Sequence, residues 1–359
     1  MTPTTAPGHR TLDIGFMPLI DSAPLIAASR LGLDHRHGLH LRLHRQASWA
    51  AIRDRVLSGE FDAVHAMAAM VYGVQTGIGG PRADLAILMG LNQNGQAITL
   101  SPLLAEAVAA GRPLADAVRA LPRTPVFAQT FPTGTHAVWL YYWLAAQGVD
   151  PMHGIDVVTL PPPQMPDALA RGELDGFCAG EPWGAQAEAI GAGRRVIRSG
   201  QLWPGHPEKV LACRRDFAAL QPEVALALTT TVLEACRWLD DPAHHADVGG
   251  WLTEPDAMGL PADRITACLR PRDGEQPGEG LRFHADGDAN FPWLSDGRGF
   301  LPQFRRWGWL PSARHAGDDD WLHDVHRLDT YRQAARTLGV TVPAGDERHC
   351  MLFDGAPWG

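Results

Sequence analysis

Short apolar runs alternate with longer segments of mixed polarity through the first part of the chain. Leu12-Asp13-Ile14-Gly15-Phe16 has strand length, and Ala23-Pro24-Leu25-Ile26-Ala27-Ala28 follows as a helix, with Asp21 or Ser22 at its cap and Pro24 in its first turn. Gly38 to His44 alternates apolar and other residues as a second strand. A helix from Trp49 to Leu57 closes on Ser58-Gly59, and Phe61 to His65 is strand-like again. A second block repeats the pattern: strand Pro125 to Ala128, helix His136 to Gln147, strand Asp156 to Leu160, helix Met165 to Arg171, strand Gly176 to Ala179, and a strand within Gly191 to Arg198. Pro222 to Leu239 is helical, and a Gly- and Pro-rich section runs from Pro271 to Gly299. Strands alternating with helices predict parallel α/β sheets.

A chain of 359 residues is long enough for two lobes. We expect a discontinuous first lobe of residues 11–97 plus 213–340, a second lobe of residues 98–212, crossings near 98 and 212, and terminal extensions at 1–10 and 341–359. The composition, 45% hydrophobic and 20% charged, is that of an ordered globular protein. A net charge of −9 argues against direct binding of nucleic acid and requires any anion site to create its own local positive field. The five cysteines are scattered without CxxC or Cys/His spacing, so no metal or cofactor is expected and structural thiols in a reducing compartment fit. Met1 to Arg10 has no basic segment followed by an apolar one, and no run of about 18 uncharged apolar residues occurs, which predicts a cytoplasmic protein without a membrane span. The chain also lacks a G-x-S-x-G elbow, HExxH, a P-loop and a G-x-G-x-x-G following a strand, so catalysis is not expected.

Four places offer chemistry for an anion. Thr133-Gly134-Thr135-His136 sits between a strand and a helix, where backbone N–H groups and the positive helix end make an oxyanion site; a simple cap beside a surface histidine is the alternative. Lys209, in His206-Pro207-Glu208-Lys209, precedes a strand-like run leading back to the first lobe and is either a solvated surface lysine or a cation on the facing wall. Trp49 donates through its indole N–H and Asn94 through its amide, although Trp49 also suits the core and Asn94-Gly95 suits a turn. Arg53-Asp54 reads as a structural pair.

Taken in order, Ala47-Ser48-Trp49, Asn92-Gln93-Asn94-Gly95, Phe131-Pro132-Thr133-Gly134-Thr135-His136, Pro161-Pro162-Pro163-Gln164-Met165, Gly180-Glu181-Pro182-Trp183, His206 to Lys209 and Arg305-Arg306-Trp307-Gly308 resemble the nitrate- and bicarbonate-binding (NrtA/CmpA-type) branch of the periplasmic solute-binding proteins. Ser295 to Phe300 departs from that pattern. The resemblance implies an α/β, two-lobed, type II periplasmic-binding-protein-like fold with a ligand cleft between the lobes. It implies a planar oxyanion held by Trp49, Asn94, Thr135, His136 and Lys209. His136 and Lys209 together point to nitrate or nitrite, since bicarbonate-binding relatives depart at the lysine and recruit a metal. Relatives often carry glutamine where Asn94 stands. With the expected location, the resemblance is to the cytoplasmic nitrate/nitrite-sensor (NasS) branch, whose ligand-free form holds an RNA-binding antiterminator with an ANTAR domain (NasT-like); a nitrate ABC importer subunit, partnered by a permease, is the alternative. Replacing Lys209 by alanine is expected to abolish anion binding without unfolding the protein.

Overall fold

The computed structural model describes residues 9–270, 275–311 and 321–358. In chain order its strands are β1 (Arg10–Phe16), β2 (Leu39–Arg45), β3 (Ala63–Met67), β4 (Leu85–Gln93), β5 (Gln96–Leu100), β6 (Val126–Gln129), β7 (Asp156–Thr159), β8 (Gly176–Gly180), β9 (Arg194–Arg198) and β10 (Pro207–Arg214), with a small hairpin of Cys350–Met351 and Pro357–Trp358. They build two five-stranded sheets, ordered β2-β1-β3-β10-β4 and β7-β6-β8-β5-β9. Helices cover both, which gives the two-lobed α/β architecture expected. No helix among the described residues is long and apolar enough to cross a membrane.

The sheets are not wholly parallel, as the alternating pattern had suggested. β1 runs parallel to β2 and β3, but β10 runs antiparallel to β3 and β4; likewise β6 is parallel to β7 and β8 while β5 is antiparallel to β8 and β9. Each sheet therefore contains one reversed strand, the one that has just arrived from the other lobe. The crossings lie earlier than residues 98 and 212. The first is the Asn94-Gly95 turn between β4 and β5, where both residues have positive φ (61° and 95°), and the second is the segment from helix Ser199–Leu202 into β10. The strand carrying Lys209 thus belongs to the first sheet.

The helix Pro222–Leu239 forms as read from its pattern of apolar positions, and packs with Ala23–Arg30 and Leu328–Leu338 on the first lobe. Residues 1–8 and 271–274, parts of the expected N-terminal extension and Gly/Pro-rich section, lie outside the described residues. Arg10 already opens β1, and residues 341–358 are no loose extension. Leu294 N–H donates to Asp346 O at 2.9 Å, and the buried Trp358 ring sits 5.2 Å from Trp139, 4.9 Å from Trp203 and 4.9 Å from Phe300. The short apolar stretch Cys350 to Phe353 and a single tryptophan beyond Asp354-Gly355 are too brief for a periodic signal, so this burial was not legible beforehand. Trp358→Ala is expected to cost about 3–5 kcal/mol of stability, as other large-to-small aromatic core changes do. Denaturant unfolding would check this, and a loss under 1 kcal/mol would mean the C-terminal hairpin is not part of the cooperative core.

Candidate functional site

The helix Thr135–Ala146 is buried from Thr135 to Leu144 and apolar almost all round, so it forms by packing rather than by a solvent-facing stripe. It starts where Gly134 caps it. A Cβ at Gly134 would come 2.6 Å from Met67 Sδ on the opposite lobe, so any larger residue here would have to displace the end of the Met67 side chain. This places Thr135 and His136 at a helix N-terminus facing the first lobe, where the dipole favours negative charge. On that facing wall β10 carries Glu208 and Lys209 in succession. Strand neighbours ordinarily point to opposite faces, but the ladder with β4 shifts register on both sides of Lys209, and this irregularity lets both side chains turn to one place.

A fully buried polar cluster results. Lys209 Nζ lies 2.9 Å from Asp21 Oδ2 and contacts Glu208 Oε1; His136 Nε2 lies 3.0 Å from the same Glu208 oxygen, and His65 Nε2 lies 2.9 Å from Asp21 Oδ1. Thr130 Oγ1 is 2.6 Å from His136 Nδ1. Further back, His206 Nδ1 is 3.3 Å from Glu208 Oε2, and its other ring nitrogen accepts from Trp139 Nε1. The Trp49 ring, whose centroid lies 5.5 Å from Lys209 Nζ and 5.4 Å from the His65 ring, completes the wall. Trp49, Thr135, His136, Glu208 and Lys209 are all 0% exposed. Among the described residues, Trp49 Nε1, Thr133 Oγ1 and Thr135 Oγ1 are buried without a hydrogen-bond partner. Buried donors are usually satisfied, so the indole N–H near Lys209 and the two hydroxyls at the start of the facing helix are donors left for acceptor atoms.

Burial alone would lower the Lys209 pKa, but the Asp21 and Glu208 carboxylates outweigh it and hold the pKa above the ordinary value. Burial pushes the two carboxylates upward, and Lys209 together with the neighbouring histidines, His65 at Asp21 and His136 and His206 at Glu208, outweighs it and leaves both below the ordinary range. Burial, then the neighbouring ammonium, lowers His136. Burial also lowers His65 and brings His206 down to about 3. The cluster at neutral pH is therefore two carboxylates, one ammonium and three neutral imidazoles.

The structure brings three of the five expected residues together. Trp49, His136 and Lys209 share the cluster, with His136 buried rather than on the surface, and Thr135 is buried one residue before His136 at the helix start. Asn94 stands apart: its amide nitrogen donates to Gly278 O at 2.8 Å and Gly280 O at 2.7 Å, and its oxygen accepts from His206 N–H at 3.1 Å, so its donors are spent on the hinge. The turn reading of Asn94 is the one the structure shows. Sequence reading missed Asp21, His65, Thr130 and Glu208 as site residues. Asp21 was assigned as a possible helix cap, yet its carboxylate turns to Lys209, while the adjacent Ser22 hydroxyl donates to Leu19 O at 2.7 Å. Glu208 was visible in the quoted motif, but nothing local shows that it folds back on its neighbour. Arg53 does pair with Asp54, at 2.7 Å, and also sits over the Phe131 ring across the cleft.

The lobes meet closely around this site. Ile20 N–H donates to Glu181 O at 3.0 Å and Trp183 Nε1 donates to Pro18 O at 3.1 Å. Beside these contacts an open hollow of about 390 Å³ is lined by Pro18, Arg45, Gln46 and Ala47 of one lobe and Pro161, Pro163 and Gln164 of the other. Two mixed sheets, two crossings and a buried polar site between them define a two-lobed solute-binding protein. The chain belongs to the NMT1-like family, which matches residues 5–253. Nitrate/nitrite binding protein NrtA of Synechococcus elongatus is 34% identical over 373 residues, covering 98% of this chain and 84% of the relative. Nitrate import ATP-binding protein NrtC of Synechocystis is 34% identical over 360 residues, 96% of this chain but 52% of the relative, so the chain spans about half of that protein's length. The crystal structure of the periplasmic nitrate-binding protein NrtA from Synechocystis PCC 6803 superposes with a TM-score of 0.91 at 31% identity, covering 98% of this chain and 96% of that one. NrtA relatives are solute-binding proteins, and the chain is of that kind, not an enzyme.

The ion pairs correct one expectation. Lys209 is no free cation whose loss leaves the fold untouched, because its removal strands Asp21 and Glu208 as buried charges. Lys209→Met is expected to lower unfolding free energy by about 3–5 kcal/mol, measured by urea titration near neutral pH. A change under 1 kcal/mol would mean that the two carboxylates do not depend on the ammonium.

Proposed function

We propose that the protein binds nitrate or nitrite between its lobes, with Lys209 and His136 meeting the anion and the Trp49 indole and Thr135 hydroxyl donating to it. The observation that carries this reading is the meeting of unpartnered buried donors with a lysine and a histidine in a chain similar along 98% of its length to a nitrate/nitrite binding protein. Such donors match a ligand that is all acceptor. For a ligand of four heavy atoms, a ceiling of about −1.5 kcal/mol per atom gives roughly −6 kcal/mol, a Kd of tens of micromolar, which charge-assisted bonds in the closed site can improve. Retention of both Lys209 and His136 favours nitrate or nitrite over bicarbonate.

Finer than binding, the reading is of a cytoplasmic sensor. Ligand-free, the protein holds an RNA-binding antiterminator with an ANTAR domain; the anion stabilises the closed lobes and the partner is released. The net charge of −9 suits a protein that leaves RNA contact to its partner. The second reading, the solute-binding subunit of a nitrate/nitrite ABC importer, is favoured by the NrtA and NrtC relatives. Co-purification decides between them. Capture of an ANTAR antiterminator that nitrate reverses supports the sensor, and stimulation of a permease ATPase by the loaded protein supports the importer.

The charge balance gives a pH dependence. Two carboxylates against one ammonium leave the site at −1 while its histidines are neutral, so a monovalent anion is best received with a proton on His136. The empty site lowers the His136 pKa through burial and then Lys209, and a bound anion raises it again. Binding then takes up a proton, and affinity tightens as pH falls toward the empty-site His136 pKa, which lies below the ordinary imidazole value, by at most about tenfold per unit. Calorimetric titration with nitrate, nitrite and bicarbonate, with and without calcium, checks both points. Metal-independent nitrate or nitrite binding that tightens in acid, with the slope lost in His136→Gln, is the expected result. Calcium-dependent bicarbonate binding, or none, would overturn the reading.

A further inference from the structure

A second cluster lies on the outer edge of the first lobe, where β2 is the edge strand of its sheet. The short helix Leu33–Arg36 leads through the left-handed Gly38 into β2, and this tight connection carries Asp34, His35 and His40. His35 and His40 are exposed, and Asp34 is 2% exposed beneath them. One ligand atom from each of the three lies within 4.8 Å of the others. His35 Nε2 and His40 Nδ1 are 3.1 Å apart, and the His9 ring lies against His35 with centroids 4.7 Å apart.

Asp34 sets this geometry. Its Oδ1 accepts the His35 N–H at 2.8 Å and its Oδ2 accepts the Leu41 N–H at 2.9 Å, so one buried carboxylate fixes the backbone beside both histidines. Each carboxylate oxygen retains a second lone pair. Two imidazole nitrogens bound to one tetrahedral cation at about 2.0–2.1 Å sit roughly 3.4 Å apart, close to the spacing already present. His37, His44 and His153 pair with carboxylates instead, His37 Nε2 with Glu234 at 2.9 Å, His44 Nε2 with Asp13 at 2.6 Å and His153 Nδ1 with Asp150 at 3.0 Å, whereas His35 and His40 meet each other.

We propose that Asp34, His35 and His40 form a binding site for a borderline divalent transition metal ion of the Zn²⁺ or Ni²⁺ type. Imidazole with carboxylate suits these ions, whereas Ca²⁺ and Mg²⁺ take oxygen ligands. The bound ion would tie the helix Leu33–Arg36 to β2 and stiffen the sheet's edge. The site is separate from the anion site and does not depend on what that site binds. Asp34 and His35 come from the short helix and His40 from β2, which explains why histidine spacing along one helix did not reveal it.

The test is calorimetric titration of untagged, metal-stripped protein with ZnCl₂, NiCl₂ and CaCl₂, paired with thermal unfolding. One Zn²⁺ or Ni²⁺ per chain with a micromolar Kd, no comparable Ca²⁺ binding and a raised Tm is expected. In His35→Ala/His40→Ala the Kd should rise at least tenfold and the Tm gain should vanish, while His153→Ala binds as the parent does. These histidines are exposed, so the double variant should fold, and its apo Tm verifies that. Absence of Zn²⁺ and Ni²⁺ binding in the parent protein, or unchanged binding in the double variant, would overturn the proposal.

Discussion

A lysine buried between two carboxylates governs this molecule. An ammonium at 0% exposure is tolerable only with its charge matched, and Asp21 and Glu208 do this while engaging two of its three hydrogens. The surrounding structure is arranged to make that possible. The irregular ladder of β10 turns Glu208 and Lys209 toward one point, and the chain before Ala23 bends so that Asp21 faces inward rather than capping a helix. Glu208 is shared between the lobes, because the Lys209 it contacts lies on the first and the His136 it meets lies on the second. Closing the cleft therefore completes a polar network as well as burying apolar surface.

The two reversed strands belong to the same design. Each lobe lends the other one strand, so the crossings are continuous with both cores instead of running through free linkers. The hinge turn at Asn94 is clasped by the carbonyls of Gly278 and Gly280 and by the His206 backbone, which links both crossings to the C-terminal part of the chain. Its positive φ and neighbouring Gly95 let the chain reverse there without displacing either sheet.

Local patterns made much of this legible. The helix Pro222–Leu239 was visible in its pattern of apolar positions, and the helix beginning at Trp49 was marked by Ser58-Gly59 at its end; the structure adds the Ser48 hydroxyl, which accepts the Ala51 N–H at 3.2 Å, as its cap. His136 and Lys209 were found because motifs carry them. Their partners were not, since Asp21 reaches Lys209 from far along the sequence and the Glu208 contact depends on a strand irregularity that no periodicity encodes. Asn94 shows the converse: a turn dipeptide and an amide donor look alike in sequence, and carbonyls near residue 280 decide between them. Strand direction was hidden for the same reason, because the sign of a crossing strand depends on where the chain has come from.

The depth of the site bears on time as well as affinity. Trp49, Thr135, His136 and Lys209 have no exposed surface, and the lobes touch through Ile20, Pro18, Glu181 and Trp183 at its side. A molecule held there has no path outward until those contacts part, so its escape can be no faster than lobe separation, however weakly it is held. Two ligands of unequal affinity could then leave at the same rate, both limited by the hinge.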